Sequence, residues 1–389
     1  SEADHRHLSA FDRPEISTAD LRGLVLQLAR WGAQADELSW LDAPPASALD
    51  EAGRALQAVG AVEPGGRITP HGKAMLELGA EPTLGHMLIR ARELDLGAGA
   101  CDVAAVLSGR VPSMSRTADI RDRLAALGGH PRGETRGGAL ADARKAAQRW
   151  RRQLHVGDAA DPDDAGAVIA LAFPERVAQQ RGAAGSYRLA SGRGAELPAG
   201  DGLVGQPFLA VAEVDGDPQS GRIHLAAPLE RSDLVRVLGD EFVREPHVAW
   251  DDERGDVVAE HQTRLGALVL KREPIRQPSG HQLAEAWAEA VAARGLELLP
   301  FTERIDEWRD RVAFARALCP DDWPDLSDEH LLRSTADWLA PHLHGIRRRK
   351  DLAALDLRAV LEAQLGWKQQ RELDRIAPTH LEVPSGSTI

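Results

Sequence analysis

The residue types that commonly carry out catalysis do not form a recognisable active site in this sequence of 389 residues. A phosphate-binding loop needs two glycines separated by four residues, then Lys and Ser or Thr, because its backbone amides cradle the phosphates. The nearest match is Gly72-Lys73, but Arg67 stands at the first glycine position and Ala74 replaces the hydroxyl residue. No acidic D-E-A-H run is present, nor is G-x-S-x-G, H-E-x-x-H or C-x-x-C. The sequence therefore predicts no catalytic residues in this chain.

Two histidine pairs have a spacing that could hold a metal ion, His5 with His7 and His342 with His344. Neither pair has a cysteine nearby or an obvious third ligand, which a protein zinc site requires. Surface histidines are the favoured interpretation, and we predict no metal site.

Basic residues are concentrated in one predicted helix, residues 138–154. They are Arg144, Lys145, Arg149, Arg151 and Arg152. The same segment has an apolar stripe at helical spacing, formed by Leu140, Ala143, Ala147, Trp150 and Leu154. We therefore expect the basic side chains to project away from the stripe and to contact phosphates. The alternative is a solvated helix face that balances the acidic segment at 158–164.

Tyr187 is the only tyrosine of the chain, and it stands beside Arg188 in a predicted strand. A base can stack on an aromatic side chain next to a basic groove, so this pair is a candidate site for a single strand. A tyrosine buried in the core of a barrel is the alternative, and it is slightly favoured.

The net charge of −13 argues against a free-standing nucleic-acid binder, although a local basic groove on an acidic body stays open. No run of about 18 uncharged apolar residues is present, so we expect no contact with a membrane. The two cysteines, Cys101 and Cys319, lie in different helical patterns. They are interpreted as core residues of a protein in the reducing cytoplasm.

Turn and cap residues predict the order of elements in the first part of the chain. Ser17 can cap a helix that ends at Gly32, and the Pro44-Pro45 pair opens a second helix that ends at Gly60. The segment AVEPGGRIT is typical of a hairpin, and PHGKAMLELG of a short helix. Two helices, a small hairpin and a third helix match a winged-helix pattern.

The rest of the chain changes twice in its hydrophobic period. Helices are predicted near 82–95, 99–109, 116–127 and 138–154. About five strands between 186 and 272, with a helix near 229–238, predict a small β-barrel of OB type. From about 281 the pattern is helical again, with an apolar stripe around each of Trp287, Trp308, Trp338 and Trp367.

Several local strings resemble the C-terminal half of DEAH-box helicases. WLDAPPASALDEAGRALQAVGAV and ITPHGKAML resemble the winged helix of that group. GSYRLASGRGAELP, RIHLAAPL, WPDLSDEHLL, DWLAPHL and APTHLEVPSGS together resemble the HrpB type in particular. The resemblance runs through nearly the whole chain.

The resemblance implies an α+β multidomain fold. Its expected parts are the end of a second RecA-like domain (1–12), a winged helix (13–79), a ratchet-like helical bundle (80–160), an OB-like β-barrel (161–275) and a mainly helical HrpB-specific domain (276–389). It also implies that the two ATPase domains precede Ser1, that they alone use ATP and Mg²⁺, and that the family's sequence continues beyond Ile389.

The function implied by the resemblance is that of an accessory nucleic-acid-binding and coupling region in an ATP-dependent RNA helicase. Its expected partners are single-stranded RNA or DNA, the RecA-like domains of the same protein, and a protein bound by the helical C-terminal domain. Arg110 and Arg116 are further candidates for contacts with nucleic acid. The arginine run at 347–349 is assigned to structure or to a partner. A protein-interaction scaffold with little nucleic-acid contact is the alternative function.

We expect this chain to show no ATP hydrolysis, with or without RNA, because no phosphate loop and no magnesium-binding acidic motif are present. Phosphate release from a preparation free of contaminating ATPases checks this expectation. Turnover above that of a heat-inactivated sample would contradict it.

Overall fold

The computed structural model describes residues 14–109, 117–129, 137–216 and 220–380. The chain divides into two units. The first comprises Ser1–Phe242 with Leu265–Leu268, and the second comprises Val243–Arg264 with Val269–Ile389. Each unit has its own hydrophobic core.

From residue 14 onward, where the structure describes the first unit, the first three α-helices are α1 (Arg22–Trp31), α2 (Ala46–Ala58) and α3 (Pro70–Glu77). Between α2 and α3, Val62 and Ile68 pair as an isolated antiparallel bridge, which confirms the predicted hairpin. Gly32 ends α1 in the left-handed region at φ 74°, a conformation that glycine adopts at little cost. The buried core of this segment is formed by Leu26, Leu56, Ala61, Val62 and Met75.

The start of α1 differs from the prediction. Ser17 lies in a short 3-10 turn, Glu15–Ser17, and does not cap the helix. The Asp20 carboxylate instead accepts a hydrogen bond from the backbone N–H of Arg22 at 2.9 Å. Both residue types are common helix caps, so sequence preference alone does not choose between them.

In the described parts of residues 82–172, five more α-helices follow: α4 (Pro82–Glu93), α5 (Gly97–Ser108), α6 (Ile120–Gly128), α7 (Gly137–Leu154) and α8 (Ala165–Ala172). The first four confirm the predicted helices within a few residues. Helix α8 is not predicted, because a helix that is apolar on all sides shows no amphipathic period. Every one of its residues is buried.

A closed five-stranded barrel completes the first unit. Its strands are β1 (Val177–Gln180), β2 (Ser186–Leu189), β3 (Gly194–Glu196), β4 (Phe208–Val214) and β5 (Ser220–Pro228). They follow one another in the order β1-β2-β3-β5-β4, and β4 pairs with β1 to close the barrel. The pair β3–β5 is parallel and the other pairs are antiparallel. Helix α9 (Arg231–Leu238) follows β5.

The strands after α9 do not belong to this barrel, in contrast to the predicted range of 161–275. Strands β6 (Val243–Asp251), β7 (Asp256–Leu265) and β8 (Leu268–Pro274) form a separate sheet with β7 in the centre. Val257 and Ala259 pack into the helical core of the second unit. Alternation predicts that a segment is a strand, but it does not say which sheet the strand joins.

The second unit continues with seven helices within the described residues: α10 (Gly280–Arg294), α11 (Glu303–Leu318), α12 (Asp328–Arg333), α13 (Thr335–Trp338), α14 (Arg349–Leu352), α15 (Leu357–Glu362) and α16 (Trp367–Ile376). Trp287, Trp308 and Trp338 are buried in the core, as the stripes predict. Trp367 is 64% exposed at the start of α16, so that part of the prediction is wrong.

The two cysteines have different environments. Cys101 is buried in α5, which confirms its assignment to the core, whereas Cys319 is exposed. Burial raises the pKa of the Cys101 thiol to about 12, so this side chain is unreactive at neutral pH.

No helix among the described residues has both the length and the apolar content to cross a membrane.

A pair of histidines joins α3 to α4. His71 Nε2 and His86 Nδ1 lie 2.8 Å apart, within hydrogen-bond distance. Burial lowers the pKa of both rings, and that of His86 falls to about 4. At neutral pH the two rings are therefore uncharged, and one donates its hydrogen to the other.

Lowering the pH from about 7 to about 5 is expected to reduce the free energy of unfolding of the first unit. The pKa of His86 is about 4 in the folded chain and about 6.5 in the unfolded chain, so the unfolded state binds more protons in this window. Stability is therefore lost as the pH falls, by about 2 kcal/mol at a pH of about 5. Urea unfolding at the two pH values measures the loss. A His86→Gln variant should lose less, and an equal loss in that variant would contradict this origin.

Candidate nucleic-acid interface

Helix α7 carries the basic cluster, and its apolar stripe fixes its orientation. Ala143, Ala147, Trp150 and Leu154 are all buried, as predicted. The indole Nε1 of Trp150 donates a hydrogen bond to the Leu78 carbonyl oxygen, at 3.0 Å, just after α3. The helix is therefore anchored by both packing and a buried polar contact.

Two of the five basic residues turn inward, so the expectation that all five project away is wrong. The guanidinium of Arg144 donates to the carbonyl oxygens of Leu127, at 2.7 Å, and Ala126, at 3.1 Å. It also donates to the Gly129 carbonyl. These carbonyls lie at the C-terminal end of α6 and have no partner within that helix, so Arg144 caps α6.

Arg151 has a second structural role. Its side chain is only 13% exposed, and its Nη2 lies 2.7 Å from Oδ2 of Asp102 on α5. Burial raises the pKa of the Asp102 carboxyl, and the adjacent Arg151 guanidinium opposes that rise. The pair therefore ties α7 to α5 in a poorly solvated place.

The spacing of residues along α7 could have predicted that Arg144 and Arg151 turn inward. Leu140, Arg144, Ala147, Arg151 and Leu154 are spaced by four, three, four and three residues. That spacing places both arginines on the same helix face as the apolar residues. Long arginine side chains at the edge of an apolar stripe can pack their methylene groups there and send the guanidinium to a neighbour.

The other three basic residues, Lys145, Arg149 and Arg152, are exposed and form what we call the cationic face of α7. Lys145 Nζ lies 3.4 Å from Asp142 Oδ1, but both side chains are largely exposed, so this ion pair is weak. The Arg149 guanidinium lies 5.3 Å from the ring centroid of Trp150. Within the described ranges, Arg152 has no ion-pair partner. The cationic face therefore presents three cations to solvent with little neutralisation.

A cavity of about 450 Å³ lies behind the cationic face and is lined by Arg144 and Arg151. Asp102, Asp158 and Asp161 also line it, so its charges are mixed. The Nε of Arg151 is buried there without a hydrogen-bond partner among the described residues, with Oδ1 of Asp158 at 3.7 Å. The three acids oppose the binding of an anion in this cavity, so we assign no nucleic-acid contact to it.

The candidate pair Tyr187–Arg188 is not a stacking site. Tyr187 is 3% exposed, and its hydroxyl donates toward the carbonyl oxygens of Gln206, at 3.0 Å, and Leu203, at 3.2 Å. Burial raises the pKa of this phenol. Successive side chains of a strand point to opposite faces, so Tyr187 faces the barrel core and Arg188 faces outward. The alternative of a core tyrosine is confirmed.

Two other candidates, Arg110 and Arg116, lie outside the described residues. In the part of the chain that the structure describes, no group of three or more His, Cys, Asp or Glu side chains could hold a metal ion.

The neighbours Arg151 and Arg152 allow a direct test of this division. Arg151→Met should lower the free energy of unfolding by about 3 kcal/mol, because it leaves the Asp102 carboxylate buried without its partner. Arg152→Met should change it by less than about 0.5 kcal/mol, since that side chain is exposed. Chemical unfolding of the two variants measures both values, and equal effects would contradict the assigned roles.

Comparisons with known proteins agree with one another. The family model described as the connector region of the ATP-dependent RNA helicase HrpB matches residues 241–275. The model described as an ATP-dependent helicase C-terminal region matches residues 338–389. The ATP-dependent RNA helicase HrpB of Escherichia coli (strain K12) is 33% identical over 387 residues, which cover 98% of this chain and 46% of that protein.

Two solved structures are also similar. The crystal structure of the E. coli DExH-box NTPase HrpB matches with a TM-score of 0.60 and 32% identity, over 100% of this chain and 47% of that one. The crystal structure of the E. coli DEAH/RHA helicase HrpB matches with a TM-score of 0.60 and 31% identity, over 100% and 48%. This chain spans less than half the length of these relatives. In both sequence and structure, the chain is therefore similar to the C-terminal region of HrpB-type helicases.

Proposed function

We propose that this chain is the accessory nucleic-acid-binding and coupling region of a cytoplasmic, HrpB-type ATP-dependent RNA helicase. The observation that carries the proposal is the cationic face of α7, where Lys145, Arg149 and Arg152 stand exposed on a chain of net charge −13. ATP and Mg²⁺ belong to the ATPase domains of the whole protein in this proposal, and no residue of this chain is assigned to them.

The geometry of the cationic face suits a phosphate backbone. From Lys145 to Arg152 the helix rises by about 10 Å. Three cations over that length can each approach a phosphate of one strand, without contact to a base. Such a contact positions a strand and does not depend on its sequence. In this proposal, the partners of the chain are therefore single-stranded RNA or DNA and the RecA-like domains of the whole helicase.

The anchoring of α7 supports the coupling role. Trp150 fastens it to the end of α3, Arg151 to α5 and Arg144 to the end of α6. A displacement of the strand-binding helix is therefore transmitted to three other helices through packed and hydrogen-bonded contacts. The subdomain names remain proposals: a winged helix for residues 13–79, which include α1 to α3, and a helical bundle for residues 80–160, which include α4 to α7.

The barrel supports the proposal in a different way. Its strand order, β1-β2-β3-β5-β4, fits a five-stranded Greek-key barrel, and we propose the OB type for it. Its aromatic residues Tyr187 and Phe208 are buried, so they supply no stacking platform. We assign the barrel to the support of the helices and the strand contact to α7.

A protein-interaction scaffold is the second candidate function. Phe314 and Leu318 lie one turn apart on α11 and are 54% and 61% exposed, and Trp367 is 64% exposed. A contiguous exposed apolar patch commonly marks a protein contact, and Phe314 and Leu318 are neighbours on one face of α11. On this alternative, nucleic acid is contacted only by the domains that this chain does not include.

Charge reversal on the cationic face tests the proposed function. The triple variant Lys145→Glu, Arg149→Glu, Arg152→Glu should weaken binding of a labelled oligouridylate by at least about tenfold at low salt. The intact chain should show a log–log salt slope of about −1.5 to −3, and the loss of three contacts should lower the magnitude of that slope by about 2. Fluorescence anisotropy at several salt concentrations measures both quantities.

The matched control reverses three exposed arginines of the second unit, Arg304→Glu, Arg333→Glu and Arg375→Glu. Both triple variants have the same net charge, so equal losses would show an effect of bulk charge only. Undetectable binding by the intact chain at low salt would favour the scaffold.

A further inference from the structure

Four arginines of the second unit surround a cavity of about 320 Å³. We call them the arginine groove: Arg254, Arg272, Arg347 and Arg348. They come from three places in the sequence, namely the β6–β7 turn, strand β8 and the segment before α14. Only the fold brings them together. The cavity volume is at the lower end of the range for small-ligand sites.

The acidic side chains at the groove are already engaged. Glu260 is 5% exposed and pairs with Arg272 at 2.5 Å, so Arg272 is held at the wall. The Asp256 carboxylate accepts hydrogen bonds from the backbone N–H groups of Val257, at 2.9 Å, and Arg349, at 3.1 Å. These acids therefore order β7 and the arginine segment.

A third carboxylate acts in the same way. Asp351 accepts a hydrogen bond from the backbone N–H of Arg348 at 3.0 Å, and that of Arg347 lies at 3.4 Å. The acid thus orders the backbone of the arginine run without meeting its guanidinium groups.

Three guanidinium groups are left exposed and weakly neutralised. Arg254 Nε lies 3.9 Å from Asp251 Oδ2, at the limit of an ion pair. Across the ranges that the structure describes, Arg347 and Arg348 have no ion-pair partner. Like charges held close together repel one another, so an ordered arrangement of this kind is stabilised when an anion binds. The groove is thus a preorganised anion site.

We infer that the arginine groove is a second binding site for the phosphodiester backbone of single-stranded RNA, separate from the cationic face of α7. Guanidinium groups bind phosphate oxygens through paired N–H donors, and several of them around one cavity fit a charged backbone. The choice of RNA over an acidic peptide rests on the proposed function, so the experiment includes both. The sequence assigned the arginine run at 347–349 to structure or to a partner. On the present inference, Arg347 and Arg348 of that run bind RNA.

The test uses the full chain and the triple variant Arg254→Glu, Arg347→Glu, Arg348→Glu. Arg272 is left unchanged, because its loss would leave Glu260 buried without a partner. The probe is a fluorescent oligouridylate of about 12 nucleotides, similar to known single-strand site sizes. The variant should bind at least about tenfold more weakly at low salt, and the magnitude of its salt slope should fall by about 2. Circular dichroism and thermal unfolding must match those of the unchanged chain.

Two further variants make each outcome decisive. The control Arg304→Glu, Arg333→Glu, Arg375→Glu should bind normally, and an equal loss in it would overturn the inference. The α7 triple variant separates the two proposals. If only the α7 variant loses binding, the groove is not an RNA site, whereas if only the groove variant does, the α7 assignment fails and the groove stands.

A fluorescent polyglutamate peptide serves as the competing ligand. Unchanged RNA binding by the groove variant, together with loss of peptide binding, would identify an acidic protein segment as the ligand and overturn the inference. Loss of RNA binding in the groove variant, with little peptide binding by the intact chain, supports it.

Discussion

Helix α8 is apolar on every side, and it is buried in the first unit between other helices and the strands of the barrel. Its neighbours are α4 and α5 among the helices, β4 and β5 of the barrel, and α9. Gly166 lies so close to the Pro228 carbonyl at the end of β5 that a Cβ atom there would stand 1.9 Å from the oxygen. All faces of α8 are apolar, and the hydrophobic effect favours the burial of each of them. The helices and the barrel of the first unit must therefore pack around this one helix. The positions of α5 and, through it, of α7 depend on this burial.

The five basic residues of α7 fall into two groups, and the environment of each side chain decides its group. Arg144 and Arg151 meet carbonyl oxygens and a carboxylate in places with little water, where an unpaired partner would be costly. Lys145, Arg149 and Arg152 remain in water, where their charges cost little and are available to a ligand. The same helix therefore contributes to stability on one face and to the proposed binding on the other.

The acidic balance of the whole chain is compatible with two local cationic surfaces. The net charge of −13 is a sum over the whole chain. A bound nucleic-acid strand, in contrast, interacts mainly with the charges within about 10 Å of it at moderate salt. In the first unit Asp102 pairs with Arg151, and in the second unit Asp256 and Asp351 accept hydrogen bonds from backbone amides. The side chains of the cationic face and of Arg254, Arg347 and Arg348 remain exposed at these places.

The sequence alone predicts much of the secondary structure. The Gly32 stop, the Val62–Ile68 hairpin and helices α2 to α7 follow from local spacing and caps, and the resemblance to the HrpB type rests on local strings. The burial of Tyr187 could also be predicted, because alternation along a strand is a local property.

The features that the sequence could not determine depend on contacts between residues that are distant in the chain. The helix α8 has no amphipathic period, and β6 to β8 alternate like barrel strands although they pair with one another. The spacing of Arg151 places it beside the apolar stripe but does not identify Asp102 as its partner, and the arginine groove depends on three segments that lie far apart in the chain. Local patterns determine which elements form, but only packing decides which faces are buried, since burial is a property of the neighbours that folding brings together.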